Sequence, residues 1–166
     1  MPVKNPFAVH ALLPLKHLAG AKTRLAGLLG SEQRRTLALA MAQDVMAVLG
    51  AHPAISSITL VSDDDDAARL ATAAGLRVWS EQALLAAGGR LSPSGPLPIL
   101  NGVLAAACER LREENASVEA RVLMLHADLP LLTGADIDAA LDCAAAHSGL
   151  VVGVDGAGAG TNLLLF

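Results

Sequence analysis

Leu12 to Leu25 reads LLPLKHLAGAKTRL, and an apolar run from Val9 to Leu13 leads into it. The run is short enough for one buried strand, and Pro14 removes the backbone donor that would let pairing continue. Beyond the proline, Lys16, Lys22 and Arg24 gather around Gly20. A strand that empties into a glycine-containing loop with three fixed cations is a place to hold an anion. Successive backbone N–H groups can turn toward a phosphate chain there, while Lys and Arg offset its charge. The spacing is not that of a P-loop, since no Gly-Lys-Ser/Thr occurs, and Gly-x-Gly-x-x-Gly is missing too. On charge alone, a solvated basic loop explains the residues equally well.

After this loop the chain alternates helical and strand patterns. Ser31 stands where it can cap a helix from Glu32 to Leu49, whose Leu37, Met41, Val45 and Val48 make one apolar stripe. Gly50 and Pro53 stop it. Ile55 to Ser62, ISSITLVS, is a second strand, and it opens into Asp63, Asp64, Asp65 and Asp66. Adjacent carboxylates repel, and the positive end of a helix dipole accommodates them, so N-capping of a helix through Ala74 explains most of the run. In open α/β sheets ligands sit at the carboxyl ends of strands. Ser62 and Asp63 would then border a bound ligand, with Asp63 offering a hydrogen-bond acceptor. Leu76 to Trp79 is a short third strand, with Trp79 packed at a sheet edge.

Glu81 to Pro98 carries Gly88, Gly89, Pro93, Gly95, Pro96 and Pro98, and reads as a long functional loop. A helix then runs to about Arg112, with Asn101 at its start as either N-cap or donor to a ribose or base edge. Arg121 to Leu125 is a fourth strand, ending in His126-Ala127-Asp128-Leu129-Pro130. An Asp at a strand end, stiffened by a following Pro, is suited to hold Mg²⁺ on a triphosphate, because phosphate oxygens and water complete the shell. His126 reads as a core or tautomer-fixing histidine rather than a proton shuttle. Thr133 and Asp136 form a capping box for a helix through Ala146, and Leu150 to Val154 is a fifth strand. Strands alternating with helices predict a three-layer, Rossmann-like α/β domain with a mainly parallel sheet.

Composition narrows the function classes. The chain has 166 residues, enough for one domain, and no apolar run approaches the ~20 residues a membrane-spanning helix needs. Its N-terminus has only a short apolar stretch and no small-residue cleavage site, so a soluble, cytoplasmic protein is expected. Net charge is −4 with 2% aromatic residues, which argues against a nucleic-acid partner. Cys108 and Cys143 lack metal-ligand spacing and are expected to be free thiols.

Three motifs then carry a resemblance. Pro14-Leu15-Lys16, Ala19-Gly20 and Ala21-Lys22-Thr23-Arg24-Leu25 together resemble the nucleotide loop of the guanylyltransferases that build coenzyme F(420). These belong to the nucleotidyltransferase superfamily that includes the molybdenum-cofactor guanylyltransferases. His126-Ala127-Asp128-Leu129-Pro130-Leu131-Leu132 resembles that family's strand-end motif along its whole length, and Asp155 with Gly160-Thr161-Asn162 resembles its Asp-x-x-Gly-Thr-Asn segment. Leu100-Asn101 is retained, but Pro98-Ile99 replaces the expected Gly.

The resemblance implies a GT-A-like fold and transfer of GMP from GTP to 2-phospho-L-lactate, phosphoenolpyruvate or 3-phosphoglycerate, releasing pyrophosphate. It implies nucleotide contacts at Leu12, Leu13, Pro14, Lys16, Gly20, Lys22, Arg24, Ser62, Asp63 and Asn101. Lys22, Arg24 and Asp128 would be catalytic, Mg²⁺ would sit on Asp128, and Thr161 and Asn162 would touch the acceptor. Family members continue past Phe166, so a single domain over residues 1–166 lacking its C-terminal part is expected. Another acceptor, such as molybdopterin or a sugar phosphate, and a non-catalytic GTP-binding module are the alternatives. A homodimer and a downstream transferase of the same pathway are open as partners.

Overall fold

A computed structural model describes residues 7–18, 22–87, 99–115, 120–158 and 160–166, with the side chains of residues 99 and 100 left out. Gly20 and most of the Glu81–Pro98 stretch, residues 88–98, therefore lie outside the described residues.

The apolar run forms β1 (Ala8–Pro14), and it sits in the middle of a six-stranded sheet. The other strands are β2 (Ile55–Val61), β3 (Arg77–Trp79), β4 (Ala120–Leu125), β5 (Val151–Val154) and β6 (Thr161–Leu165). Their order is β3-β2-β1-β4-β6-β5. β1 pairs in parallel with β2 and β4, and β2 with β3, whereas β6 runs antiparallel between β4 and β5. Parallel neighbours need crossovers, and these are helical. The helices are α1 (Ser31–Ala51), α2 (Asp65–Ala73), α3 (Glu81–Ala87), α4 (Ile99–Glu114) and α5 (Gly134–Ala146).

Strand alternation splits the core into two layers. Val9, Ala11 and Leu13 of β1 pack with α1, α2 and α5 on one face, while Leu12 packs with α3 and α4 on the other. The expected three-layer, mainly parallel α/β sheet is what forms. Trp79 is buried on the edge strand β3, with the Arg110 guanidinium 4.5 Å from its ring centre. Both cysteines are free thiols. No described helix is long and apolar enough to cross a membrane.

Local expectations need four corrections. α1 buries Ala38, Ala42, Val45, Met46 and Leu49, a stripe displaced from Leu37, Met41 and Val48, which are only half-buried. Alanines let the helix approach the sheet closely, so small residues occupy the contact line. Ser31 is already helical; Gly30 is the N-cap, and its N–H donates to Gln33 Oε1 at 2.9 Å. The supposed loop after β3 begins with a two-turn helix, α3, anchored by buried Leu84. Asn101 is the third residue of α4, so it does not cap that helix.

One buried group gives the fold a pH dependence. His10 is 7% exposed, with Nδ1 2.8 Å from Ser57 Oγ. Burial, helped by Arg77, lowers its affinity for a proton in the folded state. The unfolded chain takes up that proton near pH 6.5, so the contribution is complete above this value and shrinks as pH falls below it. The slope is at most about 1.4 kcal/mol per pH unit from this residue. Urea unfolding at pH 7.5 and 5.5 should show lower stability at 5.5, and His10→Gln should flatten the difference. An equal pH slope in that variant would assign the effect elsewhere.

Candidate active site

The carboxyl ends of β1 and β4 open into one cleft of about 630 Å³, walled by Pro14, Lys16, His17 and Lys22 on one side and by His126 and Asp128 on the other. Its main polar contact joins the two sides. Lys22 Nζ donates to Asp128 Oδ2 at 2.6 Å, across 106 positions of sequence. The Lys22 side chain is 24% exposed and that of Asp128 49%. Lys22 sits in the left-handed region at φ 51° and precedes a single 3-10 turn, Thr23–Leu25. A lysine there is strained by roughly 1–2 kcal/mol, and such strain concentrates at functional sites.

Residues 15–18, just after β1, are tied down from the β2 side. Leu15 N–H donates to Val61 O at 3.0 Å, and Leu18 N–H donates to Asp64 Oδ2 at 3.0 Å. Between these ties Lys16 and His17 are exposed, while Leu18 is buried in the core. Asp64 itself is 2% exposed. Burial opposes its ionisation, but the Leu18 and Ala67 N–H groups, Arg35 and His17 outweigh it and hold the carboxyl below the usual carboxylate range.

The remaining predicted residues spread over this end of the sheet. Pro14 also borders a second, smaller cavity of about 170 Å³, together with Asn101, His126, Thr161 and Asn162. Pro14, Lys16, Lys22, Asn101, Thr161 and Asn162 thus line two adjoining cavities that share Pro14 and His126, and Ser62 and Asp63 line neither. Leu12 and Leu13 point into the two core layers, which leaves only their backbone for contact with a ligand. Ser62 is buried and its Oγ accepts the Asp64 N–H at 3.1 Å; Asp63 Oδ2 accepts the Gln82 N–H at 3.1 Å. Arg24 is exposed on the 3-10 turn and does not line the larger cleft. Gly20 is outside the described residues.

Two groups at this end differ from the sequence reading, His126 in its placement and Glu81 in having been given no role. His126 is exposed and lines both cavities, so the expectation of a core histidine is corrected. Its N–H donates to Asn162 O at 3.1 Å, which ties β4's end to β6. Glu81, at the start of α3, is driven above its ordinary value by burial and by the Asp63 carboxylate, with Lys16 and His17 opposing. The signal for Glu81 was its place just past a strand end.

Asp128 stands apart from other described metal-ligating side chains. No cluster of three or more His, Cys, Asp or Glu side chains gathers among the described residues. Asp128 is half-exposed with Oδ2 taken by the Lys22 ammonium, so a divalent ion there would have to displace that contact and draw most of its ligands from phosphate and water.

Comparison with known proteins addresses the family and the fold. A family model described as "Guanylyl transferase CofC like" matches residues 9–87. The chain is 39% identical over 155 residues to a phosphoenolpyruvate guanylyltransferase of Rhodococcus opacus, covering 93% of this chain and 63% of the relative. It is 35% identical over 157 residues to one of Rhodococcus erythropolis, covering 94% and 68%. The chain thus spans just under two thirds of the length of the Rhodococcus opacus relative. In fold it is similar to a crystal structure from Desulfovibrio desulfuricans G20 described as a nucleotide-diphospho-sugar transferase. The TM-score is 0.70 at 18% identity, covering 95% of this chain and 62% of that one. On these sequence matches the chain belongs to the CofC-like guanylyl transferase family.

Proposed function

We propose that the protein transfers GMP from GTP to a small phosphorylated carboxylic acid and releases pyrophosphate, as a step of coenzyme F(420) biosynthesis. The observation that carries this reading is the Lys22–Asp128 contact, which joins a cationic loop after one strand to a carboxylate after another in a single cleft. The relatives' name makes phosphoenolpyruvate the first acceptor to test, ahead of 2-phospho-L-lactate and 3-phosphoglycerate.

The chemistry asks little of acid–base groups. An acceptor phosphate oxygen is already an anionic nucleophile. It forms the new bond to the α-phosphorus of GTP while the bond from that phosphorus to the bridging oxygen breaks, and the electron pair leaves on pyrophosphate. Catalysis reduces to alignment and charge neutralisation. Lys16 and Lys22 offset charge growing on the departing pyrophosphate, and Arg24 adds to the field from the 3-10 turn. Asp128 would hold Mg²⁺, which supplies charge neutralisation on the triphosphate oxygens. Thr161 and Asn162, at the smaller cavity, offer neutral hydrogen bonds to the acceptor. Ser62, Asp63 and Asn101 border the base and ribose in this reading. GTP and such an acid are cytoplasmic metabolites, which fits a cytoplasmic enzyme, alone or as a homodimer, that hands its product to a downstream transferase.

Mass spectrometry of mixtures containing the full-length protein, Mg²⁺, each nucleoside triphosphate and each of the three acids tests the reading. A guanylylated acid from GTP is the expected product. GTP bound without product in any mixture would instead indicate a binding module or an acceptor of another class.

A further inference from the structure

We propose that Asp64 is a positioning residue for the nucleotide loop. It locks Lys16–Leu18 to the end of β2 and the start of α2, so that Lys16 faces a preformed cleft. The inference rests on the nucleotide-binding reading of that cleft.

The two carboxylate oxygens have different partners. Oδ1 accepts the Asp66 and Ala67 N–H groups at 3.1 and 3.2 Å, which caps α2. Oδ2 faces the other way and accepts the Leu18 N–H at 3.0 Å, with His17 Nδ1 at 3.5 Å. Arg35 NH2, reaching over from α1, lies 3.5 Å from Oδ1. One buried carboxylate thus serves a helix with one oxygen and a loop 46 residues away with the other. Capping alone would need only the first.

The loop needs this tie. Leu15 is held by Val61 O and Leu18 by Asp64, so Lys16 and His17 form a two-residue arch fixed at both ends. A buried carboxylate is a strong acceptor, since charge-assisted bonds to N–H are roughly twice as strong as neutral ones. A lysine on an arch of set shape meets the triphosphate without first ordering the backbone, and that ordering cost otherwise subtracts from affinity. With the tie gone, Lys16 keeps its charge but loses its place.

Asp64→Ser separates the two roles. Serine is as good an N-cap as aspartate, but its single short hydroxyl cannot cap α2 and reach the Leu18 N–H together. Amide hydrogen exchange on the nucleotide-free protein should show faster exchange at Leu18, with Ala68, bonded to the Asp64 carbonyl, protected as before. Calorimetric titration with Mg²⁺ and a non-hydrolysable GTP analogue should show affinity reduced by about 10-fold or more. Asp64→Asn, which keeps the side-chain length and one acceptor oxygen, should fall between. A Leu18 amide as protected as in wild type, or unchanged affinity despite its release, overturns the proposal. If wild-type protein binds no nucleotide, the functional reading fails and the proposed effect on affinity fails with it; the exchange result still decides the anchor by itself.

Discussion

Asp128→Asn is expected to lower turnover at least ~100-fold, the cost typical of removing one electrostatic stabiliser, while the fold barely changes. The two effects separate because of where the side chain sits. Asp128 is half-exposed at a strand end, and its partner Lys22 is three-quarters buried. An ion pair with one end in solvent contributes about 0.2–1 kcal/mol. Asparagine preserves the shape, so the melting temperature should move by no more than about 2–4 °C. With a polyphosphate bound beside it, as proposed above, the same carboxylate would have less water around it, and its charge would count for more. Steady-state rates and thermal melts on one preparation read both numbers. Near-wild-type turnover would end the assignment of Asp128 as the cation-holding group.

This contrast also explains which features the sequence revealed. β1, β4 and the residues at their ends were legible because each couples a short apolar run to a proline, a pattern with few other meanings. The Lys22–Asp128 contact could not be read directly, since 106 positions separate the partners. Each half was still visible as a strand-end motif, and the parallel β1–β4 pairing brings them together. The misread stripe of α1 has a different origin. Large apolar residues were given the core positions, yet Ala38 and Ala42 make the contact. α3 was hidden because seven residues give too little periodicity to stand out beside the Gly- and Pro-rich segment that follows. Asp64 was legible as a cap and illegible as an anchor, because the capping signal is local and the bond to Leu18 is not.

Lys22→Gly should lose activity without losing stability, a combination that a merely structural lysine cannot produce. At φ 51° the backbone is where glycine is at ease and lysine is not. Relief of that strain gains roughly 1–2 kcal/mol, against the loss of a partly exposed ion pair worth at most about 1 kcal/mol. Glycine also gains freedom in the unfolded chain, which takes back up to about 1 kcal/mol. The sum is close to zero, so the denaturation midpoint should stay near that of wild type. Activity has no such compensation. A lysine bonded to a charged group is worth about 1.5–3 kcal/mol, or roughly 10- to 150-fold in kcat/KM, when the group it stabilises is the departing pyrophosphate. Lys22→Met provides the control, because it removes the charge and keeps the strained backbone. If the charge matters, both variants lose activity alike and only the glycine variant recovers stability. Should Lys22→Met retain activity while Lys22→Gly loses it, the left-handed geometry rather than the ammonium would be what the site requires, and Lys22 would leave the list of groups acting on the phosphates.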